Sequence, residues 1–187
     1  MVFALWHSLF IPLEFIFMIR EGLRLLEQEG FVKIIPNVGA VVSELSQKDT
    51  VQIYDLMGVL EGLSMRIATP LLSKKTLEQI EELVIKVEEN RNDLFLMSQY
   101  NFEFHRFLTG LCGNKRLIQF MENIRLLTYR MRLQTFYSEE QVEATIKEHG
   151  QILNAIKEKN AEEAEQIIRK HYQDAKERLI KRDYYTY

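Results

Sequence analysis

The chain has 187 residues, a net charge of −3, 47% apolar and 27% charged residues, 8 glycines, 3 prolines and one cysteine, Cys112. That length can bury a real core, and that composition excludes a disordered chain. The net charge excludes a polyelectrolyte surface spread over the whole molecule, and the scarcity of Gly and Pro favours long helices over a β-sandwich. A single cysteine excludes a disulfide framework and a Cys-rich zinc finger, and it suits a reducing, cytoplasmic setting.

Residues 1–19, MVFALWHSLFIPLEFIFMI, hold fifteen apolar residues; the exceptions are His7, Ser8, Pro12 and Glu14. A membrane helix needs about 20 such residues. Pro12 and Glu14 near the middle, with no Lys or Arg before Arg20, argue against one. No basic leader and no small-residue cleavage site support a secretory signal. The segment is expected to be buried, or foreign to the fold that follows.

From Ile19 to Glu29, Leu23, Leu25 and Leu26 sit among charges and predict a helix, with Gly30 at the stop position. Two β-rich runs follow, Phe31–Ile35 and Ala40–Val42, around the turn residues Pro36-Asn-Val-Gly. A helix followed at once by a hairpin is the back half of a winged helix.

Beyond Val42 the pattern is helical. Ser46 opens a helix to about Leu72, with Asp49 favourable for its dipole. Ser73 opens another to about Asn92. A third runs from Leu94 to Leu111, and a fourth follows the Gly113-Asn114 break to about Tyr137. Ser138-Glu-Glu-Gln is a capping box for the fifth. Asn160 caps a sixth that reaches about Arg182. Six helices with short links make an all-α bundle.

Histidines carry the sharpest chemical signal. Asn101 and His105 lie four apart in one helix, about 40° apart on one face. His149 and His171 belong to the two last helices, which the break at Asn160 folds back on each other. Three neutral imidazoles with an amide or carboxylate oxygen suit Zn, Ni, Co or Mn, and leave coordination positions open. A histidine on such a face is also a common packed or solvated side chain. The metalloprotease pattern His-Glu-x-x-His is absent.

The segment Arg20-Glu-Gly-Leu-Arg-Leu-Leu-Glu-Gln-Glu-Gly-Phe-Val resembles the recognition-helix end of GntR-type transcription regulators, and Pro36-Asn-Val-Gly-Ala-Val-Val resembles their wing. Ile53-Tyr-Asp-Leu-Met-Gly-Val-Leu-Glu-Gly-Leu-Ser-Met-Arg-Ile-Ala resembles the opening helix of the FCD domain of the FadR subfamily. Phe102-Glu-Phe-His-Arg-Phe-Leu, Gly113-Asn, Glu148-His and His171 continue the likeness in order, over about residues 20–182. The resemblance implies a mostly α fold: a partial winged-helix remnant in residues 1–45, then a six-helix FCD-type bundle in 46–187. It implies a divalent metal on Asn101, His105, His149 and His171, with Asn101 standing where the family has Asp. It implies a small carboxylate effector helped by an arginine. Arg125, Arg130 and Arg132 are in the right helix, and Arg125 and Arg132 share a face. Tyr129 is a further residue for the cavity or the core.

The resemblance also implies operator DNA, a homodimer, no membrane, and repression. Arg20, Arg24, Lys33 and Gly39 fall in the segments that would meet DNA. Three features weaken that expectation. The helices that precede the recognition helix in the family are replaced by residues 1–19, as an altered start would leave them. Residues 1–45 carry three cations against five carboxylates, whereas phosphate binding needs cations. Val38 stands where the family commonly has Arg. Two other classes stay open: a metal- and ligand-binding module without DNA binding, and a metal-dependent hydrolase, for which neither Glu103 nor Glu148 is a clearly placed base.

Overall fold

A computed structural model of the chain describes residues 12–43, 46–132 and 138–183. They fall into two compact units, residues 1–44 and 45–187.

The first unit holds α1 (Leu13–Gln28), β1 (Val32–Ile35) and β2 (Gly39–Val42). α1 starts six residues before the expected Ile19. Pro12 opens it, its carbonyl accepting from the Phe15 and Ile16 amides at 2.9 and 3.3 Å, and its fixed φ suits a helix entrance. For the described part of the apolar segment this corrects the expected burial: Phe15 to Ile19 are exposed, Phe17 at 66%. One short hairpin offers too little surface to cover them. Residues 1–11, with His7, lie outside the described residues. Among the described residues no helix is long and apolar enough to cross a membrane.

Gly30, at φ +81°, ends α1. β1 and β2 pair antiparallel, with Val32 opposite Val42 and Ile35 opposite Gly39. The three-residue turn between them takes positive φ at Asn37, and Gly39, which opens β2, has positive φ as well. Glu27 Oε1 accepts from the Ile34 amide at 2.8 Å and ties the hairpin to the helix. Arg20, Arg24 and Lys33 are exposed, and Arg24 faces Glu21 at 3.4 Å.

The second unit is the six-helix bundle: α2 (Gln47–Ala68), α3 (Lys74–Glu89), α4 (Leu94–Gly110), α5 (Lys115–Arg132), α6 (Glu139–Lys157) and α7 (Ala161–Asp183). Ser46 and Ser138 make capping boxes with Asp49 and Gln141. Ser73 caps α3 through the Thr76 amide, and Asn160 caps α7 through the Glu163 amide. α2 ends four residues short of the expected Leu72. Pro70 has no N–H and would meet the Arg66 carbonyl, so the chain tightens into a 3-10 turn at Thr69–Leu71. α3 ends at Glu89 rather than Asn92, where Asn90 Nδ2 donates to the Lys86 carbonyl at 2.8 Å. The expected end of α5 near Tyr137 lies outside the described residues.

α2 and α7 form the closest-packed helix pair. A Cβ on Gly62 would sit 3.1 Å from the Glu165 carbonyl oxygen, and one on Gly58 would sit 3.2 Å from Tyr172 Cβ. Two glycines one turn apart therefore let the backbones approach, and this brings Glu61 beside Tyr172. Met65, Ile80, Phe104, Leu108, Met121, Ile152, Ile156 and Ile168 are fully buried and form the core around this seam.

Candidate metal centre

All three bundle histidines occupy positions where the helical period calls for apolar side chains. On α4, Phe104, His105 and Leu108 are buried; on α6, Thr145, His149 and Ile152; on α7, Ile168, His171 and Tyr172. A polar group at a core position needs a partner. Relative exposures are 5% for His105, 0% for His149 and 6% for His171. One nitrogen from each lies within 4.8 Å of the others, and the ring centroids are 5.0–5.2 Å apart. The fold thus brings together three helices that the sequence separates.

Two of the rings are oriented by carboxylates. His105 Nδ1 lies 2.6 Å from Glu61 Oε1. Glu61 Oε2 accepts from Arg125 Nη2 at 3.0 Å, Tyr172 Oη at 3.0 Å and Thr109 Oγ1 at 3.3 Å. His171 Nδ1 lies 2.6 Å from Glu148 Oε2. Arg178 grips Glu148 with two bonds, at 2.7 and 3.0 Å. A carboxylate at Nδ1 holds the proton there and leaves the Nε2 lone pair for a cation. His149 differs. Neither of its nitrogens has a hydrogen-bond partner among the described residues, and its ring lies against Phe104, with centroids 4.3 Å apart.

Electrostatics keep the donors available. Burial pushes His149 well below the ordinary histidine range, and His105 and His171 add to this. Burial also lowers His171, against the opposing pull of Glu148. Burial alone would raise both carboxylates, but their partners outweigh it. His171 and Arg178 bring Glu148 down to about 2, and His105, Arg125 and Tyr172 lower Glu61. At neutral pH the site therefore presents His149 and His171 as neutral imidazoles, with ionised carboxylates at Glu61 and Glu148.

The donor set fits a divalent metal. Asn101 Oδ1, one helical turn before His105, is buried without a hydrogen-bond partner. An orphaned amide oxygen costs about 1–3 kcal/mol, and a cation would remove that cost. Three nitrogens and one amide oxygen match a borderline ion such as Zn, Ni, Co or Mn. A cavity of about 100 Å³ adjoins these groups, with Asn101, His105, His171, Arg125, Thr128 and Tyr172 among its walls.

Of the arginines, Arg125 lines this cavity, 2% exposed. Its Nη2 also donates to the His105 carbonyl at 2.7 Å and to Thr109 Oγ1 at 2.5 Å. Its Nε and Nη1 make no hydrogen bond among the described residues, and Glu122 Oε1 stands 3.5 Å from Nη1. The side chains of Tyr129, Arg130 and Arg132 lie outside the described residues. Glu103 is exposed.

Sequence reasoning missed Glu61, Tyr172 and Arg178, and left open which way Glu148 points. Glu61 had a legible signal, since a lone acid at the helical spacing of Met57, Ser64 and Met65 is a buried acid. Arg178 is seven residues after His171 and so shares its face.

The FCD domain family matches residues 52–174. The HTH-type transcriptional regulator YdhC of Bacillus subtilis is 27% identical over 158 residues, which span 82% of this chain and 70% of that protein. The HTH-type transcriptional repressor RspR of Escherichia coli is 22% identical over 163 residues, 85% of this chain and 71% of that one. Among solved structures, McbR/YncC of Escherichia coli superposes with a TM-score of 0.76 at 18% identity, covering 87% of this chain and 83% of that one. A GntR-type transcriptional regulator from Rhodococcus sp. RHA1 gives 0.68 at 19% identity, covering 87% and 78%. These superpositions establish the fold.

Proposed function

We propose a metal-dependent, ligand-sensing role from one premise: this chain belongs to the FCD-domain family of GntR-type transcriptional regulators. Its relatives are transcription regulators and not enzymes. In this reading a divalent metal (Zn, Ni, Co or Mn) is held by His105, His149, His171 and Asn101, and a small carboxylate effector binds beside it with help from Arg125. The observation that carries it is the convergence of three buried imidazole nitrogens within 4.8 Å of one another, with an orphaned amide oxygen one helical turn before His105.

When bound, the metal supplies a Lewis-acid position for an anionic oxygen. The chain's own residues do the rest. Glu61 and Glu148 hold two imidazoles in the ligating tautomer. Arg125 presents a guanidinium that matches a carboxylate. Ligand binding would bias the bundle between two shapes, and with it the spacing of two DNA heads in a homodimer. The expected output is repression at an operator.

A second reading, a sensing module that does not bind DNA, draws on residues 1–45, which carry three cations against five carboxylates. Fluorescence anisotropy on DNA from upstream of the chain's own gene separates the two. Salt-sensitive binding that shifts with metal supports the regulator; binding no tighter than to random duplex supports the module. The sensing role itself is tested by calorimetry with acetate and lactate on the metal-loaded protein. Binding that disappears in Arg125→Met and after chelation is the expected result. Heats indistinguishable from dilution would contradict the proposal.

The carboxylate behind His171 gives a further expectation. Glu148→Gln keeps the side-chain size but replaces the anion, and should weaken metal binding about 10- to 100-fold. Titration with Zn²⁺ against a competing chelator, with circular dichroism to confirm the fold, reads this out. Unchanged affinity in the folded variant would contradict the role given to Glu148.

A further inference from the structure

The candidate metal site carries no anionic donor. Its nitrogens belong to His105, His149 and His171, and an imidazole ligates only in its neutral form. The oxygen beside them is Asn101 Oδ1, buried without a hydrogen-bond partner among the described residues, and an amide oxygen has no net charge to offer. The carboxylates at the outer nitrogens of His105 and His171 are each matched by a guanidinium: Glu61 by Arg125 at 3.0 Å, and Glu148 by Arg178 at 2.7 Å. A third carboxylate, Glu122, lies 3.5 Å from Arg125 Nη1 and is itself held by Arg106 at 3.2 Å. Three carboxylates against three guanidiniums leave these groups with no net negative charge for a divalent ion.

A doubly charged ion in such a place is poorly compensated, and a buried charge is costly unless it is paired. The cavity of about 100 Å³ beside Asn101, His105 and His171 is where compensation can enter, since no Asp or Glu among the described residues lines it. At roughly 10–15 Å³ per water it has room for a small anion such as acetate. An anion there and a cation on the imidazoles would each lower the cost of burying the other. Such an effect is reciprocal: the factor by which the anion raises metal affinity is the factor by which the metal raises anion affinity.

We propose, resting on the metal-centre reading above, that Asn101 couples the metal to the anion: because residue 101 is a neutral amide, the affinity of the site for a divalent metal rises when a small anion occupies the adjoining cavity. Asn101 sets this coupling because it is the one member of the donor set whose charge a near-isosteric substitution can change. An Asp there would supply from within the protein the charge that the anion supplies from solution. Metal binding would strengthen, and the anion would add little to it. With the neutral amide in place, metal occupancy follows the anion, and the two bound species act as one signal.

The test is titration of the full chain with Zn²⁺ against a competing chelator, in sodium acetate or in sodium perchlorate of equal ionic strength. Acetate should raise the Zn²⁺ affinity of the wild type at least about tenfold, within the usual range for linked sites. Asn101→Asp should bind Zn²⁺ more tightly than the wild type in perchlorate, and should lose most of the acetate effect. Asn101→Ala removes the oxygen but leaves the donor set neutral, so it should keep the acetate effect at a lower affinity; it serves if Asn101→Asp does not fold. Zn²⁺ affinity that ignores acetate in the wild type would overturn this inference and leave the metal-centre reading standing. So would an acetate effect that stays whole in Asn101→Asp or vanishes in folded Asn101→Ala. Failure of the wild type to take up Zn²⁺ in either salt would overturn both.

Discussion

Glu61→Ala is expected to destabilise the metal-free bundle by about 3–5 kcal/mol, the usual cost of breaking a buried ion pair from one side. Glu61 is fully buried and gathers side chains from three other helices: His105 and Thr109 of α4, Arg125 of α5 and Tyr172 of α7. Deleting the carboxylate leaves a guanidinium that is 2% exposed with only the longer contact to Glu122 Oε1, 3.5 Å from Nη1, as an anionic partner. Removing a buried charge's partner costs far more than the pair contributes, because the remaining ion stays desolvated. The hydroxyls of Thr109 and Tyr172 also lose an acceptor. Arg125→Met in the same background should recover part of the loss, since it removes the stranded charge. Urea unfolding of the three proteins measures this. A loss under about 1 kcal/mol for the single variant would contradict the account, because the buried guanidinium would then not depend on Glu61.

His149→Leu is expected to act in the opposite direction on the metal-free protein. His149 has 0% exposure and two nitrogens without hydrogen-bond partners. A buried polar group in that condition costs about 1–3 kcal/mol, and an apolar side chain of similar volume removes the cost. The variant should therefore melt higher than the wild type without metal, and should gain nothing when metal is added. A residue that lowers the stability of the empty protein and raises that of the loaded one is what a ligating role demands.

The same residue sets a pH signature. Folded-state His149 and His171 both titrate below the ordinary histidine value of 6.5. Below that pH the unfolded chain takes up protons that the folded one refuses. Stability of the metal-free protein should thus be whole above about pH 6.5 and fall as pH drops from there toward the folded-state values. Glu148 contributes separately and at lower pH, as it falls from the carboxylate range toward its folded value of about 2. His149→Leu should flatten the first decline and leave the second. A first decline as steep in the variant as in the wild type, or a lower melting temperature without metal, would contradict this reading.

Much of this was legible in the sequence because it is local. Ser46, Ser73, Ser138 and Asn160 mark helix starts through bonds to amides three residues on, and such bonds depend on little else. The spacing of Asn101 and His105 fixed their shared face for the same reason. α1 begins earlier than the charged stretch from Ile19 suggests, because Pro12 is a local signal for a helix start. Pro70 is likewise the local signal that ends α2 at Ala68. The outer carboxylates were harder. Glu148 points at His171 only because α6 and α7 pack together, 23 residues apart in sequence. Glu61 meets Tyr172 because Gly58 and Gly62 let two backbones approach. These are facts of helix packing, and one helix's periodicity does not contain its neighbour.

Metal content is the measurement that tests the central claim most directly. Purified, tag-free protein should carry near-stoichiometric Zn, Ni, Co or Mn by elemental analysis, with a melting temperature that falls on chelation. His105→Ala and His171→Ala should both lose the metal and the chelator response. A wild-type protein that is metal-free, and whose melting temperature ignores all four added ions, would contradict the assignment. The three histidines would then be a buried cluster without a ligand, and any sensing by the bundle would have to work without metal.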